Sequence, residues 1–596
     1  MKQLLSGNEA IALGAYHAGM AVATAYPGTP STEILENIAR MDGVYAEWSI
    51  NEKVALEVGL GSAYSGARTL VSMKHVGLNV AADPFFAAST TGIIGGMVII
   101  SCDDPGEHSS QGEQDNRYFA RFAKVPMIEP TDSQEAYDLM GLAFEISEQF
   151  DTPVLFRSTT RISHCKAVVD VTKERKADLN KAGFKRWPEK FVMVPSNARV
   201  RRVAMEERIA RLQEYVEDFP LNEMILADRK IGVISNGVAY QYAREVFKDA
   251  SHLKLTTIYP LPVELIRRFA GEVERLIVIE ELDPYIEDEV RKLGIAVEGK
   301  SFIPIIGELT PEIVENAAAA AGIIDASAAT RIDAEAPPLP ARRPQLCAGC
   351  PHVATEYTLR KIGIRTSNPD EEIHKGELIV TSDIGCYTLG VYPPLAALDT
   401  CACMGASIGQ ALGLEKAGVS NKIVAVIGDS TFMHSGITGL IDVVYNQGTI
   451  TVIILDNHTT AMTGHQGHPG TGISARGEMA QSVDIEALVK GIGIADVNAV
   501  DAFDMKAIES AIKRCIANEE PSVIIVRGQC PLATKKKGTP FEVDADTCSG
   551  CLICLDIGCP AITIVDGFAD IDADACTGCG VCAQVCPQDS ISEMTR

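Results

Sequence analysis

Eight of the chain's 17 cysteines lie in its last 49 residues, and their spacing constrains the fold more than any other feature. Cys548, Cys551 and Cys554 form a C-x2-C-x2-C unit, with Cys559-Pro560 after it. Cys576, Cys579 and Cys582 repeat the unit, and Cys586-Pro587 follows. Two-residue loops bring three thiolates to adjacent corners of one inorganic centre, and soft thiolates select iron–sulfur clusters or zinc. Eight cysteines in two such units favour iron–sulfur over zinc. The N-terminal MKQLLSGNEAIALGAYHAG lacks the continuous apolar core of a secretory signal, so the chain reads as cytoplasmic and its cysteines as ligands or reactive thiols rather than disulfides. No apolar run reaches the ~18–20 residues of a membrane span. A formal charge of −26 argues against a nucleic-acid surface, which needs clustered Lys and Arg.

At 596 residues the chain exceeds one hydrophobic core. The segments MAVATAY (20–26), RTLVSMK (68–74), GMVIIS (96–101) and TPVLFRS (152–158) read as buried strands of a parallel sheet spanning 1–165. Residues 166–230 are charged and helical, and read as a connector. Strand–helix alternation resumes over 231–325 with KIGVIS, LKLTTIYPL and RLIVIEE. An Ala/Pro-rich linker (326–345) leads to a third α/β block (346–535), and the cysteine-rich domain occupies 540–596. The fold expected is therefore α/β and multidomain, with three doubly wound parallel-sheet domains ahead of the small cysteine-rich one.

The segment KIVAVIGDSTFMHSGITGLIDVVYNQGTITVIILDN (422–457) carries the most chemistry. One strand ends at Gly428-Asp429-Ser430, a helix from about Gly436 to Asn446 crosses over, and the next strand ends at Asp456-Asn457. Asp429 and Asn457 then emerge at the carboxyl edge of neighbouring parallel strands, where open α/β sheets bind ligands. Two hard oxygen donors there suit Mg2+ bridging a diphosphate. The bland alternative is a crossover in which Asp429 only caps a helix. In CACMGASIGQALG, Gly405 opens a helix whose amides are expected to approach phosphate.

These motifs resemble known families. The cysteine tail resembles two-cluster bacterial ferredoxins, which implies crossed ligation: Cys586 completes the cluster of Cys548, Cys551 and Cys554, and Cys559 that of Cys576, Cys579 and Cys582. Four residues separate Cys554 from Cys559 where three are usual, which puts that last ligand in question. Residues 428–457 resemble the thiamine-diphosphate signature, with Ser430 in place of its second glycine. The resemblance implies Mg2+ held by Asp429, Asn457 and the carbonyl of Thr459. Cys347, Cys350, Cys386 and Cys530 match the four positions that hold a proximal [4Fe–4S] cluster in pyruvate:ferredoxin oxidoreductase and its relatives, which would bring the clusters to three.

At the N-terminus, AYPGTPSTEI resembles the loop of the same superfamily that lines the 2-oxoacid, which points to Thr29. Glu52 opens a helix where relatives place the carboxyl that protonates the cofactor's aminopyrimidine, with Glu47 and Glu57 as competitors. DDPGEHSSQGEQDNRYFARF resembles the loop that approaches the substrate carboxylate, leaving Arg117 and Arg121 as candidates. Over nearly its whole length the chain resembles the large subunits of indolepyruvate:ferredoxin oxidoreductases. The domain order implied is pyrimidine-binding, transketolase C-like, diphosphate-binding and ferredoxin. The activity implied is oxidative decarboxylation of an aryl 2-oxoacid with coenzyme A, yielding acyl-CoA, CO2 and reduced ferredoxin. The alternatives are the same chemistry on pyruvate, phenylglyoxylate or another 2-oxoacid, or an electron-transfer scaffold with a degenerate thiamine site, against which Asp429, Asn457 and Glu52 argue together. A separate smaller beta subunit and a dimer of heterodimers are also implied.

Overall fold

The structure is a computed structural model that describes residues 1–175, 183–325, 343–363 and 378–595. All but the last three residues of the expected linker lie outside them. The chain divides into two compact units, Met1–Ala336 and Pro337–Arg596.

The first unit is built on a seven-stranded sheet. Its order is Thr257–Tyr259, Met127–Ile128, Val154–Thr159, Met97–Asp103, Thr69–Lys74, Val22–Ala25 and Tyr45–Trp48. All neighbours run parallel except Thr257–Tyr259, which closes one edge antiparallel to Met127–Ile128. The strands Thr69–Lys74, Met97–Asp103 and Val154–Thr159 are buried at every position, as a sheet covered on both faces requires. Helix Glu52–Tyr64 starts where the Asn51 side chain accepts from the Val54 amide. It lies so close to the sheet that a Cβ on Gly59 would come within 2.5 Å of Val71.

A second sheet orders Arg275–Ile279, Asp228–Asn236, Ala250–Leu255 and Glu223–Ile225, the last antiparallel. The segment LKLTTIYPL thus splits: its first half belongs to this sheet and its second half to the seven-stranded one. The connector expected over 166–230 is likewise more than helix. Lys166–Asp170 pairs antiparallel with Lys2–Ser6, Pro195–Glu217 forms a 23-residue helix, and Glu223–Ile225 joins the second sheet. Edge strands of two to five residues carry too little periodicity to stand out from a charged segment.

The second unit carries a six-stranded, all-parallel sheet. Its order is Thr400–Cys401, Leu378–Ser382, Lys422–Gly428, Thr451–Asp456, Ser522–Arg527 and Asp496–Asp501. Alternation along Lys422–Gly428 sends Val424 and Val426 into one core and Ile423, Ala425 and Ile427 into the other, which is the double winding the apolar runs imply. The cysteine-rich tail adds two short antiparallel ladders, Phe541–Val543 with Ile591–Glu593 and Ile562–Val565 with Phe568–Ile571. It is not an independent body. Ile557, Ala561, Ile571 and Val581 share one core with Leu346, Val353, Val424 and Val526.

Candidate functional site

Asp429 and Asn457 stand where the sequence pattern puts them, one residue past the ends of adjacent parallel strands, and both are buried. The helix after Gly428 begins at Asp429 itself rather than near Gly436. It passes through a π turn over Phe432–Gly436 before the regular helix Ile437–Tyr445. Asp429 Oδ1 accepts from the Ser430 amide at 2.8 Å, and Oδ2 accepts from the His458 amide at 2.8 Å and lies 3.1 Å from His468 Nε2. Burial alone would raise this carboxyl, but the His468 contact and the amides carry it below the ordinary range. The neighbouring Asp456 is pushed up by burial and by the charge of Asp429.

The Thr459 amide donates to Asn457 Oδ1 at 3.0 Å, which folds the chain so that the Asn457 side chain and the Thr459 backbone share one turn. A carboxylate, an amide oxygen and a backbone carbonyl are the hard donors that Mg2+ takes, so this set fits the ion. Gly428 has a steric reason of its own, because a Cβ there would meet Tyr387 at 2.8 Å. Ser430 Oγ lies 2.9 Å from Thr460 Oγ1, so the serine that departs from the signature bridges to the turn after Asn457.

Gly405 requires a correction. The amides of Ala406 and Ser407, expected to face phosphate, donate instead to Asp383 at 2.8 and 3.2 Å. Gly405 is needed for its left-handed backbone (φ 87°) and because a Cβ would strike Ser435 at 2.4 Å. These two amides are thus engaged by a buried carboxylate of the same domain, a partner only the folded chain reveals.

The four cysteines singled out in the diphosphate domain converge. Burial and the neighbouring thiols raise three of them: Cys350 by burial and by Cys386, Cys347 and Cys530, Cys386 to about 11 by burial and by Cys530 and Cys347, and Cys347 by burial and by Cys530. The Cys530 amide donates to the Asn457 carbonyl at 3.2 Å, tying this thiol group to the Asn457–Thr459 turn. His352, fully buried, stands between them. Its Nε2 lies 3.4 Å from the Asn457 amide nitrogen and its Nδ1 3.4 Å from Cys350 Sγ. An amide nitrogen can only donate, so Nε2 accepts and Nδ1 carries the proton towards sulfur. Burial holds this imidazole neutral, with its pKa lowered to about 4. The reading from sequence passed over His352, although it directly follows the CAGCP motif.

In the tail, Cys554 is raised by burial and by Cys551, Cys586 and Cys548, while Cys582 is pushed up to about 12 by burial and by Cys579, Cys559 and Cys576. These are the crossed sets expected. Each lines an apolar cavity, about 320 Å³ for the first. In each set the four thiols line one shared space. That arrangement fits a cubane. The extra residue before Cys559 is absorbed by a 3-10 turn over Ile553–Ile557 and by Gly558 in the left-handed region (φ 66°), leaving Cys559 beside Cys576 and Cys579. The cavity ringed by Cys559, Cys576, Cys579 and Cys582 is also lined by Cys347 and Cys350. Gly349 sits so tightly there that a Cβ would meet Thr577 Oγ1 at 1.8 Å.

In the first unit the carboxyl edge of the seven-stranded sheet gathers Thr29, Glu52 and the loop after Asp103. Glu52 is buried at its helix start and packs on Gly77, where a Cβ would come within 2.6 Å of its carboxylate. Its competitor Glu57 is exposed and pairs with Lys53, and Glu47 is held by Tyr45 and Ser49. Arg117 is a second correction. Its guanidinium is fully buried and grips Asp115 (2.5 and 2.9 Å), Glu280 (2.5 Å) and the carbonyls of Glu281 and Asp283 (2.8 and 2.9 Å). Four of its five N–H donors are spent on these partners and the side chain is sealed from solvent, so it serves the fold rather than a substrate. Arg121 pairs with Glu289 beside Tyr259 and Tyr285, away from Thr29.

A model of the pyruvate flavodoxin/ferredoxin oxidoreductase thiamine-diphosphate-binding family matches residues 13–216. The C-terminal TPP-binding domain of thiamine pyrophosphate enzymes matches 383–526, and the 4Fe-4S binding domain matches 569–592. The chain is 42% identical to the indolepyruvate oxidoreductase subunit IorA of Methanothermobacter marburgensis, over 98% of this chain and 96% of that protein. The corresponding Archaeoglobus fulgidus subunit is 40% identical over 99% and 97%. The 2-oxoglutarate synthase subunit KorA of Archaeoglobus fulgidus is 25% identical over 52% of this chain and 98% of that one. Among the described residues no helix is long and apolar enough to cross a membrane.

Proposed function

The chain belongs to the family of indolepyruvate oxidoreductase IorA subunits, and from that premise we propose that it oxidatively decarboxylates aryl 2-oxoacids with coenzyme A. The products are an arylacetyl-CoA and CO2, and the electrons leave through three [4Fe–4S] clusters to ferredoxin. Its partner is a smaller beta subunit, in a dimer of heterodimers.

The observation that carries this reading is the shared turn of Asn457 and Cys530. The residue offered to Mg2+ and a thiol of the innermost cysteine set are joined by one backbone hydrogen bond, with His352 touching both groups. A cofactor that only moves two-carbon units has no use for such an electron outlet. Thiamine diphosphate, when bound, supplies the electron sink for decarboxylation. Asp429, Asn457 and the Thr459 carbonyl hold Mg2+, and Gly428 and Ser430 flank the diphosphate. Glu52 holds a proton at the aminopyrimidine N1′, and Thr29 lines the reacting ketone. His352 orients the Asn457 side chain by accepting from its amide, so that its oxygen faces the ion. Cys347, Cys350, Cys386 and Cys530 hold the cluster that first takes the electrons. Cys576, Cys579, Cys582 and Cys559 hold the next, and Cys548, Cys551, Cys554 and Cys586 the outermost.

The test is to purify the chain anaerobically with its smaller subunit, assay bound thiamine diphosphate, and measure viologen reduction and acyl-CoA formation with indolepyruvate, phenylpyruvate and pyruvate. Coenzyme A-dependent reduction is expected with the aryl substrates. A complex free of thiamine diphosphate, or inert to every aryl oxoacid, would sink the reading.

A further inference from the structure

With Arg117 and Arg121 committed elsewhere, the oxoacid carboxylate lacks a counter-charge, and the structure holds one in a position that nothing so far explains. Lys74 ends the strand Thr69–Lys74, between the strands Val22–Ala25 and Met97–Asp103. The loops leaving those two neighbours carry Thr29 and Ser109, and both close over Lys74. A Cβ on Gly28 would meet the Lys74 Cβ at 3.0 Å, so its stem lies along the loop that presents Thr29. Its Nζ donates to the Ser109 carbonyl at 2.5 Å, and Ser109 Oγ donates to the Thr29 carbonyl at 3.4 Å.

Lys74 is a buried residue, 8% exposed, yet its ammonium has no carboxylate within ion-pair distance among the described residues. Asp104 attracts it at longer range but spends its own oxygens on the Ser109 amide (2.8 Å), Ser110 Oγ (2.5 Å) and Thr160 Oγ1 (2.6 Å). Other buried cations of this unit are treated differently. Arg68, Arg117, Arg157, Lys190 and Lys254 each hold a carboxylate. Arg208 is held by the carbonyls of Asp151 and Ser89, away from the strand ends that carry Thr29. A buried ammonium with one donor on a carbonyl and no anion is costly unless a ligand supplies the missing charge.

We propose that Lys74 receives the carboxylate of the 2-oxoacid, with its two remaining N–H donors directed at the carboxylate oxygens beside Thr29. This rests on the function proposed above and names the residue that selects an acid over a neutral ketone. Lys74 binds and orients; the carbon–carbon bond breaks on the cofactor.

The experiment compares Lys74→Gln and Lys74→Arg with wild type, each purified as the complex with the smaller subunit. Gln keeps a donor for the Ser109 carbonyl and removes only the charge. A charge-assisted contact of this kind predicts a rise in KM for indolepyruvate of about 10–100-fold in Lys74→Gln, with a smaller change in kcat, and partial recovery in Lys74→Arg. Indole-3-propionate, a non-reacting carboxylate, should weaken by a similar factor as a competitive inhibitor, while the neutral tryptophol should inhibit all three proteins alike. Equal losses for the acid and the alcohol would mark a structural role and overturn the proposal, as would an unchanged KM. If wild type itself turns over no aryl oxoacid, the functional reading fails first. If Lys74→Gln does not fold, Lys74→Arg decides on the two inhibitors: altered inhibition by indole-3-propionate with unaltered inhibition by tryptophol supports the carboxylate contact, and inhibition by both left unchanged, or changed alike, refutes it.

Discussion

Replacing Arg117 by Met separates the two roles open to this arginine. Its guanidinium makes five side-chain contacts of 2.9 Å or less with Asp115, Glu280 and two backbone carbonyls. After substitution Glu280 still accepts from the Ile286 and Glu287 amides at 3.0 Å. Asp115 keeps only the amide of residue 117, at 3.1 Å. Truncating one partner of a buried pair costs about 3–5 kcal/mol, because the other charge stays buried without compensation. At ~3 kcal/mol per M for a large unit, that lowers the urea midpoint by the order of 1 M. Since Asp115 is left worse off than Glu280, Asp115→Asn in the Arg117→Met background should restore about 1 kcal/mol or more, an interaction that a double-mutant cycle reads directly. The assay is urea denaturation of the purified complex, followed by far-UV circular dichroism alongside oxoacid kinetics. An unshifted midpoint together with a tenfold rise in KM would refute the argument and return Arg117 to the substrate.

Asp429→Ala removes the one ionised donor of the Mg2+ set, so thiamine diphosphate should dissociate on desalting; retained cofactor and turnover would remove Asp429 from the site. Cys386→Ser should lose about four irons per chain and most ferredoxin reduction while the two tail clusters remain, checked by iron and sulfide analysis; unchanged iron would dissolve the proximal cluster. Glu281, buried beside the Leu309 amide, is raised by burial to about 7 from an unfolded value near 4.5. A raised carboxyl favours the neutral form in the fold, so the stability it contributes is full below about pH 4.5 and lost as pH rises through 7. Glu281→Gln should therefore flatten the fall in thermal midpoint between pH 5 and 8 and raise the midpoint at pH 8; an unchanged slope would show that another group controls it.

The parallel strands, the Asp429 and Asn457 positions and the two C-x2-C-x2-C units were legible because each rests on local pattern, whereas the crossing of the fourth cysteines came from the resemblance to two-cluster ferredoxins. Continuous apolar runs identify covered strands, a strand-end Asp and Asn must emerge at one edge, and two-residue loops admit few geometries. Gly405, Arg117, His352 and Lys74 were not legible for one common reason. What each does depends on at least one partner 22 to 166 residues away, and hydrogen-bond competition between such partners leaves no trace in spacing. Asp383 claims the amides beside Gly405, Glu280 claims Arg117, and Asn457 and Cys350 share His352. The sequence by itself determined which chemistries the chain can host, since thiolates, hard oxygens and glycine turns are properties of residues at fixed intervals. Only the tertiary structure decided which buried charge is already neutralised and which is left for a ligand, because that depends on which carboxylates the folded chain brings within a few ångströms of each cation.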